Sequence, residues 1–313
     1  MSLAIGIDIG GTKVLGGVVA EDGTVVASHR IATPATDVAA IRTVIVDLVR
    51  RLSAAHEVIA VGIGAAGWID ATRSTVQFSP NLAWRHEPLR EGLSRDIDVP
   101  VVVENDANVA MWAEYRYGAA RGVNNTALFT VGTGIGGGLI SDGRLVRGAH
   151  GVAAEFGHVR VVPDGIECGC GRRGCLEQYA SGTALVREAK RLASCDEERA
   201  VKLLELAGGD PNGVDGPMVT EAARDGDPVA LAAFAHIGTN LGSALIDLVQ
   251  VADPEIIVIG GGVVNAGDLL LDPIREHYGQ AMGARGELQF AQIKAAQMGA
   301  NAGLVGAADL ARQ

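Results

Sequence analysis

Residues 3–20 read L-A-I-G-I-D-I-G-G-T-K-V-L-G-G-V-V-A, which is an apolar run, a glycine turn and a second apolar run. This pattern predicts two strands joined by a tight turn, and E-D-G at 21–23 predicts a hairpin into a third strand. The pattern restarts near residue 120, with an apolar run at 127–131, G-T-G-I-G-G-G at 132–138 and S-D-G at 141–143. Two halves that open alike predict a pseudo-repeat of two α/β domains, with a ligand in the cleft between them.

Hydrophobic periodicity and turn residues predict the other elements. Asp227-Pro228 is the predicted start of a long helix, and the Gly/Pro/Asp-rich segment 205–217 is a predicted surface loop. The remaining predictions are a helix over about 37–55, strands at 58–64, 101–103, 255–259 and about 288–296, and helices ending near 117, 251 and 311.

The composition limits the class of protein. The 313 residues are 48% hydrophobic, which supports a large core and excludes disorder over most of the length. The net charge of −11 argues against nucleic acid or an anionic membrane as the main partner. The N-terminus lacks the basic start of a signal peptide, and the uncharged window 122–141 is too rich in glycine for a membrane span. We therefore expect a soluble, cytoplasmic protein.

Two glycine turns are candidate phosphate sites. In D-I-G-G-T-K at 8–13, glycine lets backbone N–H groups approach an anion, and Thr12 and Lys13 add a hydroxyl and a charge. The alternative is an ordinary hairpin turn. Residues 132–137 match G-x-G-x-x-G, but a strand is predicted after them, whereas a dinucleotide fingerprint opens a helix. G-G-G-V at 260–263 indicates either a nucleotide contact or a tight strand-to-helix turn.

Asp106 is the candidate general base. It stands in V-V-V-E-N-D-A-N at 101–108, where a predicted strand meets a predicted helix. A helix N-terminus favours the ionised carboxylate, which predicts a weak base. Phosphoryl transfer tolerates a weak base because positioning dominates its loose transition state. The alternative is that Asn105 or Asp106 simply caps the helix.

The most specific local motif is C-G-C-G-R-R-G-C-L-E at 168–177. Three thiols with intervening glycines can form three corners of a tetrahedron, and a histidine ten residues earlier can supply the fourth. Cys3His is a closed structural zinc set, so we expect no catalytic role for the ion. A redox C-x-C pair or buried free thiols are the alternatives, and Cys195 is expected to be unrelated. The predicted zinc ligands are His158, Cys168, Cys170 and Cys175.

Together these motifs resemble the ROK family of bacterial sugar kinases and sugar-responsive repressors, over essentially the whole chain. The resemblance rests on D-I-G-G-T-K, E-N-D-A-N, the second glycine turn, G-V-A-A-E-F-G-H at 151–158 and the cysteine motif. P-N-L-A-W at 80–84 and A-G-L-V-G-A-A-D-L-A at 302–311 are similar to the actinobacterial-type members that act on glucose.

The resemblance implies an α/β, two-domain actin/hexokinase-like (ribonuclease H-like) fold with the ligand cleft between the domains. Residues 1–119 and the C-terminal helix at about 302–313 would form the smaller domain, and residues 120–301 the larger one with the zinc loop. The implied activity transfers the γ-phosphate of ATP to the 6-hydroxyl of glucose, with Mg²⁺ and a structural Zn²⁺. The resemblance also implies a homo-oligomer (dimer or tetramer) without nucleic acid or membrane partners. A monovalent cation stays an open requirement.

The resemblance further implies roles for single residues. Asp106 would take the proton of the sugar hydroxyl, and Asp8 would act near magnesium through water. His158 would place one ring nitrogen on zinc and the other toward the sugar, since the metal fixes the orientation of the ring. The implied sugar-pocket residues are Gly67, Asn81, Asn105, Asp106, Glu155, His158 and Glu177. The implied ATP-binding residues are Asp8, Gly10, Gly11, Thr12, Lys13, Gly132, Thr133, Gly134, Gly261 and Gly262.

Three alternatives stay open at this point. One is a kinase for another hexose or N-acetylmannosamine. Another is a polyphosphate-dependent kinase, although no dense basic run occurs beyond Arg172-Arg173. The third is a sugar-sensing repressor, which needs a DNA-binding helix-turn-helix. Because the first predicted strand starts at Leu3 and the net charge is −11, the kinase is the expected class.

Overall fold

A computed structural model describes residues 2–284, 286 and 289–313 of the chain. The chain divides into two compact units. Unit 1 comprises residues 1–128, 137–155 and 296–313, and unit 2 comprises residues 129–136 and 156–295. This grouping assigns residues 137–155 to the first unit, whereas the sequence-based division begins the second domain at residue 120. The division into 1–119 with 302–313 and 120–301 therefore stays a prediction.

The first sheet is a three-strand meander extended by two parallel strands. Its order is β3-β2-β1-β4-β8, with β1 antiparallel to β2 and parallel to β4. The E-D-G hairpin is confirmed, since β2 and β3 pair antiparallel around Gly23 at φ 85°. The elements up to residue 117 are β1 (Leu3–Ile9), β2 (Lys13–Val19), β3 (Val25–Ala32), α1 (Val38–Ser53), β4 (Val58–Ala65), β5 (Trp68–Ile69), β6 (Val76–Phe78), β7 (Arg85–Glu87), α2 (Leu89–Leu93), β8 (Val101–Asn105) and α3 (Asp106–Tyr117).

Parallel pairing fixes where the polar residues of this sheet emerge. β1, β4 and β8 run in the same direction, so their carboxyl ends meet at one edge. Asp8 lies at that end of β1, Gly67 shortly follows β4, and Asp106 follows β8 directly. Open α/β sheets bind ligands outside the carboxyl ends of their strands.

The predicted pseudo-repeat is confirmed by the second sheet, whose order β11-β10-β9-β12-β13 reproduces the first. The absence of a helix after the second glycine turn is also confirmed, because strand β10 follows it directly. The strand begins at Ile135, earlier than expected, so the turn is confined to residues 132–134 and the later glycines lie inside β10. The strands are β9 (Thr126–Val131), β10 (Ile135–Ser141), β11 (Arg144–Leu145), β12 (Ile256–Gly260) and β13 (Gln292–Ala295).

The described part of unit 2 contains six α-helices of varied length. The predicted start at Asp227-Pro228 is confirmed, since Asp227 caps the longest helix, α8, through the amides of Val229 and Ala230. The prediction of a plain loop at 205–217 is wrong in part. That segment contains the end of one helix, a 3₁₀ turn at Pro211–Gly213 and the start of the next. The helices are α4 (Glu177–Ala180), α5 (Gly182–Cys195), α6 (Val201–Leu206), α7 (Gly216–Arg224), α8 (Pro228–Ala252) and α9 (Asp268–Gly283).

Helix α8 is long and apolar enough to cross a membrane by length and composition alone. Half of its most apolar window is buried inside the protein, as in the core helix of a soluble protein. Its inward face includes Phe234, Leu241 and Leu245. The window at 122–141, rejected above as a span, contains strands β9 and β10.

The predicted final helix is confirmed as α10 (Ala302–Ala311), and all ten of its residues are buried. It lies against β1 and β4 at two glycines. A Cβ on Gly6 would come within 1.8 Å of the Leu304 carbonyl oxygen, and one on Gly62 within 1.8 Å of the Ala307 carbonyl oxygen. The helix can approach the first sheet this closely only because both positions lack a side chain.

Candidate active site

Asn105, the last residue of β8, caps the helix that Asp106 begins. Its Oδ1 accepts hydrogen bonds from the amides of Ala107 (2.9 Å) and Asn108 (3.0 Å), and its Nδ2 donates to the Gly67 carbonyl (3.0 Å). The sequence had left open which of the two residues caps the helix. With Asn105 as the cap, the Asp106 carboxyl is available for another role.

The Asp106 carboxyl lies in an unfavourable place for a negative charge. Burial, together with the nearby carboxylate of Asp8, raises its pKa to about 7, against a weaker opposing effect of the Ala107 amide. The expectation that the helix N-terminus would favour the ionised form and leave Asp106 a weak base is therefore corrected, since the pKa is raised. Loss of solvent and a like charge outweigh the helix N-terminus here. Near neutral pH the group titrates, which suits a residue that accepts a proton.

Asp8 is the second carboxyl of this region. Burial raises its pKa, and the Lys13 ammonium partly opposes the shift. A Cβ on Gly303 of α10 would lie 2.7 Å from its Cγ, so the final helix covers one side of it. Burial raises the pKa values of both carboxyls, and Asp8 also contributes to that of Asp106. A divalent cation beside Asp8 would favour its ionised form.

The glycine turn at 10–13 is held in a fixed shape. The Gly10 amide donates to the Lys13 carbonyl (3.0 Å), and the Thr33 hydroxyl donates to the Gly10 carbonyl (2.8 Å). A Cβ on Gly11 would lie 3.2 Å from the Cβ of Asn81. The structure thus places Asn81, a predicted sugar residue, beside the predicted phosphate turn of unit 1.

Two other predicted sugar residues of unit 1 differ in their surroundings: Gly67 is enclosed by backbone, whereas Glu155 is partly exposed to solvent. Gly67 has φ 140°, and a Cβ there would meet the Phe78 carbonyl oxygen at 2.4 Å. Glu155 is half-buried. Gly67 contacts the site region through Asn105, as described above.

In unit 2 the structure brings together the four predicted zinc ligands. One ligand atom from each of His158, Cys168, Cys170 and Cys175 lies within 4.8 Å of the others. The Sγ atoms of Cys170 and Cys175 are 3.7 Å apart, and Cys168 Sγ is 3.7 Å from His158 Nδ1. Tetrahedral zinc with Zn–S bonds of ~2.3 Å requires S–S edges of about 3.8 Å. The donor set and its spacing therefore fit a closed zinc site.

The chemistry of the thiols supports the same assignment. Burial and two neighbouring thiols raise the pKa of Cys175 to about 12, so its thiolate needs a cation beside it. Nδ1 is the ring nitrogen of His158 that faces Cys168, which leaves Nε2 for the opposite side of the ring. Cys195, at the exposed end of α5, lies outside this cluster.

Glu177 connects the cysteine loop to the second glycine turn. Its Oε2 accepts a hydrogen bond from the Ile135 amide (3.0 Å), and its Oε1 lies 3.8 Å from Cys168 Sγ. A Cβ on Gly134 would collide with Glu177 Oε2 at 2.1 Å. Gly157, next to His158, is equally close to β10, since a Cβ there would lie 2.0 Å from the Ile135 carbonyl oxygen.

A cavity of about 1080 Å³ opens beside the second glycine turn, which belongs to unit 2. Gly132, Thr133 and Gly262, three of the predicted ATP-binding residues, line it. Gly261 has φ 86° and packs against β9, where a Cβ would lie 2.4 Å from the Val131 carbonyl oxygen. The cavity is large enough for a nucleoside with its phosphates.

Most of the cavity wall was missed from the sequence. Helices α5 and α7 each contribute one face with helical spacing, and the 3₁₀ turn Gly262–Ala266 contributes a third wall. Residues at helical spacing can be recognised in the sequence as a cavity wall only when the helix that they face is known. The missed lining residues are Gly182, Thr183, Leu185, Val186, Arg187, Lys190, Gly216, Pro217, Thr220, Glu221, Arg224, Asn265 and Ala266.

Comparison with known proteins gives consistent matches. A model described as the ROK family matches residues 4–313. Glucokinase of Streptomyces coelicolor is 50% identical, over 100% of this chain and 98% of its own length. N-acetylmannosamine kinase of Yersinia pseudotuberculosis is 32% identical, over 84% of each chain. The crystal structure of a ROK family glucokinase from Streptomyces griseus, in complex with glucose and AMPPNP, is 51% identical, with a TM-score of 0.91 and coverage of 100% of both chains.

Proposed function

The chain belongs to the ROK family, and we propose that it is an ATP-dependent glucose kinase. It transfers the γ-phosphate of ATP to the 6-hydroxyl of glucose and releases glucose 6-phosphate and ADP. The full-length identity of 50% to a glucokinase supports this function, as does the structural match to a glucokinase that holds glucose and an ATP analogue.

In the proposed mechanism Asp106 is the general base. Its carboxylate accepts the proton of the sugar 6-hydroxyl while that oxygen forms a bond to the γ-phosphorus. The bond from the γ-phosphorus to the β,γ-bridging oxygen breaks, and its electron pair leaves with ADP. The single observation that carries this role is that Asn105 caps α3, so the Asp106 carboxyl, with a pKa of about 7, is left for proton transfer.

We assign the phosphates of ATP to the two glycine turns. In unit 1 the residues are Gly10, Gly11, Thr12 and Lys13, where the Lys13 ammonium supplies the charge. In unit 2 they are Gly132, Thr133 and Gly134, and the cavity beside them takes the nucleoside, bordered by Gly262 and its neighbours. Asp8 would hold the Mg²⁺ that accompanies ATP, through water, because a dication stabilises the ionised form of a carboxyl whose pKa is raised by burial.

We assign the sugar hydroxyls to two groups of residues. Unit 1 contributes Gly67, Asn81, Asn105 and Glu155, and unit 2 contributes His158 and Glu177. Zinc held by His158, Cys168, Cys170 and Cys175 would order the loop that carries these last two side chains, as structural zinc does when bound. We further propose a cytoplasmic homo-oligomer, a dimer or tetramer, on the basis of the family resemblance.

A coupled assay tests the function directly. Purified protein with ATP, Mg²⁺ and glucose should produce equal amounts of ADP and glucose 6-phosphate, and chelation of Mg²⁺ should stop the reaction. The same assay should include N-acetylmannosamine, fructose and mannose as acceptors and polyphosphate as donor. If N-acetylmannosamine gave a higher kcat/KM than glucose, the assignment to glucose would be wrong.

A further inference from the structure

Glu104, directly before Asn105 and Asp106, is a buried carboxylate with several polar partners. Its side chain is 1% exposed. Oε2 forms ion pairs with Arg147 Nε at 2.6 Å and Arg73 Nε at 3.0 Å. Oε1 accepts hydrogen bonds from the Asn105 amide (2.9 Å) and Asn108 Nδ2 (3.1 Å). The orientation of Glu104 therefore affects the backbone that carries Asp106.

Arg147 extends from this carboxylate to a second segment of unit 1. Its Nη1 donates to the Ala71 carbonyl (2.8 Å) and its Nη2 to the Asp70 carbonyl (2.9 Å). This segment begins shortly after Gly67, whose own carbonyl accepts a hydrogen bond from Asn105. Two parallel bridges thus connect the end of β8 to residues 67–71.

The backbone around Arg147 connects the same region to a third segment. The Ala153 amide donates to the Arg147 carbonyl (3.1 Å). Gly151 has φ 86° and fits against β5, since a Cβ there would meet the Ile69 carbonyl oxygen at 2.1 Å. Glu155, a proposed sugar residue, follows two positions after Ala153.

We infer that Arg147 is a positioning residue that fixes the sugar-binding wall of unit 1 through Glu104. It joins three segments that each carry a proposed sugar or catalytic residue: Gly67, Asn105 with Asp106, and Glu155. This role rests on the proposed function. Lysine cannot replace it, because only the planar guanidinium can reach one carboxylate and two carbonyls at once.

The test compares Arg147→Ala and Arg147→Lys with Arg144→Ala, an exposed arginine of β11. Arg147→Ala should lower kcat/KM for glucose by about 100-fold, as expected when reacting groups are misplaced by about 1 Å. It should also weaken glucose binding to the nucleotide-free enzyme, measured by calorimetry, while the affinity for ADP changes less than about twofold. Millimolar guanidinium should restore part of the activity of Arg147→Ala. Arg147→Lys should remain impaired, and Arg144→Ala should match the wild type.

Two results of the kinetic and binding measurements would overturn the inference: wild-type kcat and glucose affinity in Arg147→Ala, or an equal loss of glucose and ADP binding. If Arg147→Ala does not fold, the test uses Glu104→Gln, which keeps the shape of the side chain. This variant should bind glucose more weakly, while its affinity for ADP changes little. Hydrogen exchange of the amides at 105–108 separates this inference from the proposed function. Faster exchange in Arg147→Ala would support the positioning role even if the wild type did not phosphorylate glucose, and unchanged exchange would contradict it.

Discussion

Asp106 shows how one residue acquires its chemistry from distant parts of the chain. Its place at the junction of a strand and a helix was predicted from V-V-V-E-N-D-A-N. Its pKa of about 7 was not predictable, because Asp8, which contributes to the shift, lies 98 positions earlier in the sequence. The capping role of Asn105 was left open by the sequence for a similar reason, since either side chain suits an N-cap.

Asp106→Asn should nearly abolish turnover and leave sugar binding intact. The amide keeps the size of the side chain but cannot accept the proton of the hydroxyl, and loss of a general base costs about 10²–10⁴ in rate. Coupled assays give kcat, and calorimetry gives the glucose affinity. Asp98→Asn, at another acidic residue of the same unit, is the control. A variant of Asp106 with the kcat of the wild type would refute its catalytic role.

The pKa of Asp106 predicts an acidic limb in the pH profile. The base must be ionised, so kcat/KM for glucose should rise about tenfold per pH unit below pH 7 and level off above it. Folding favours the neutral carboxyl, because the pKa in the native protein exceeds the ordinary value of 3.8. The contribution of this group to stability is thus full below about pH 4 and is lost as the pH rises through 7.

Removal of the neighbouring charge provides the check on this assignment. Asp8→Asn should move the acidic limb of kcat/KM to lower pH, because Asp8 is one of the two causes that raise the pKa of Asp106. The measurement is the pH profile between 5.5 and 8.5, and any loss of overall activity does not alter the position of the limb. A limb that stays in place in Asp8→Asn would mean that another group titrates.

At the scale of elements, the cysteine loop was the part most fully predicted. All four residues that the structure brings together there were predicted, because cysteines two and five residues apart need no distant information to meet. What spacing could not predict is the connection through Glu177 to the Ile135 amide, which depends on how the loop packs on β10. Residues 205–217 were misjudged for a related reason, since Gly216 and Pro217 line a cavity formed mainly by other elements.

We expect about one zinc ion per chain, and Cys170→Ser should remove it. Loss of one thiolate from a closed set releases the loop that carries Glu177, so both thermal stability and activity should fall. A decrease in kcat/KM of about tenfold or more is expected. Elemental analysis gives the zinc content, and Cys195→Ser is the matched control because Cys195 is exposed and outside the cluster. Active wild-type protein without zinc would contradict this prediction.

The contact of α10 with the first sheet can be tested at Gly62. Gly62→Ala places a Cβ 1.8 Å from the Ala307 carbonyl oxygen, so the helix must shift. Overpacking of this kind costs about 1–3 kcal/mol, and the melting temperature should fall. Gly279→Ala in α9, where a Cβ would meet no atom within 4 Å, should leave stability unchanged or raise it. Equal melting temperatures for the two variants would mean that α10 does not pack this closely.

At the scale of the whole molecule, the pseudo-repeat was predictable because each half begins with the same turn signals, whereas the strand order of the two sheets was not predicted. The α/β, actin/hexokinase-like fold class is confirmed by the sheets and by the match to a ROK glucokinase over both full chains. The cavity of unit 2 was not predictable from the sequence. Its walls come from four segments spread over residues 132–266, and neither α5 nor α7 carries a motif that indicates its partner.

Substrate choice is the property of the whole molecule that the proposed site predicts most sharply. His158 and Glu177 both contact Cys168, and we assign the two residues together to the hydroxyls at carbons 1 and 2 of glucose. A site built to pair with a hydroxyl leaves its own groups unpaired when that hydroxyl is missing or inverted, and such losses exceed those of an apolar pocket. The kcat/KM for 2-deoxyglucose and for the 2-epimer mannose should therefore be about tenfold or more below that for glucose, measured in the coupled assay. Glu177→Gln should reduce the difference in kcat/KM between glucose and the other two sugars. The control is Glu167→Gln, at an exposed acidic residue of the same loop, which should reduce it less. Equal kcat/KM values for the three sugars would show that the site does not recognise the hydroxyl at carbon 2. The proposed roles of Asp106 and zinc would be unaffected.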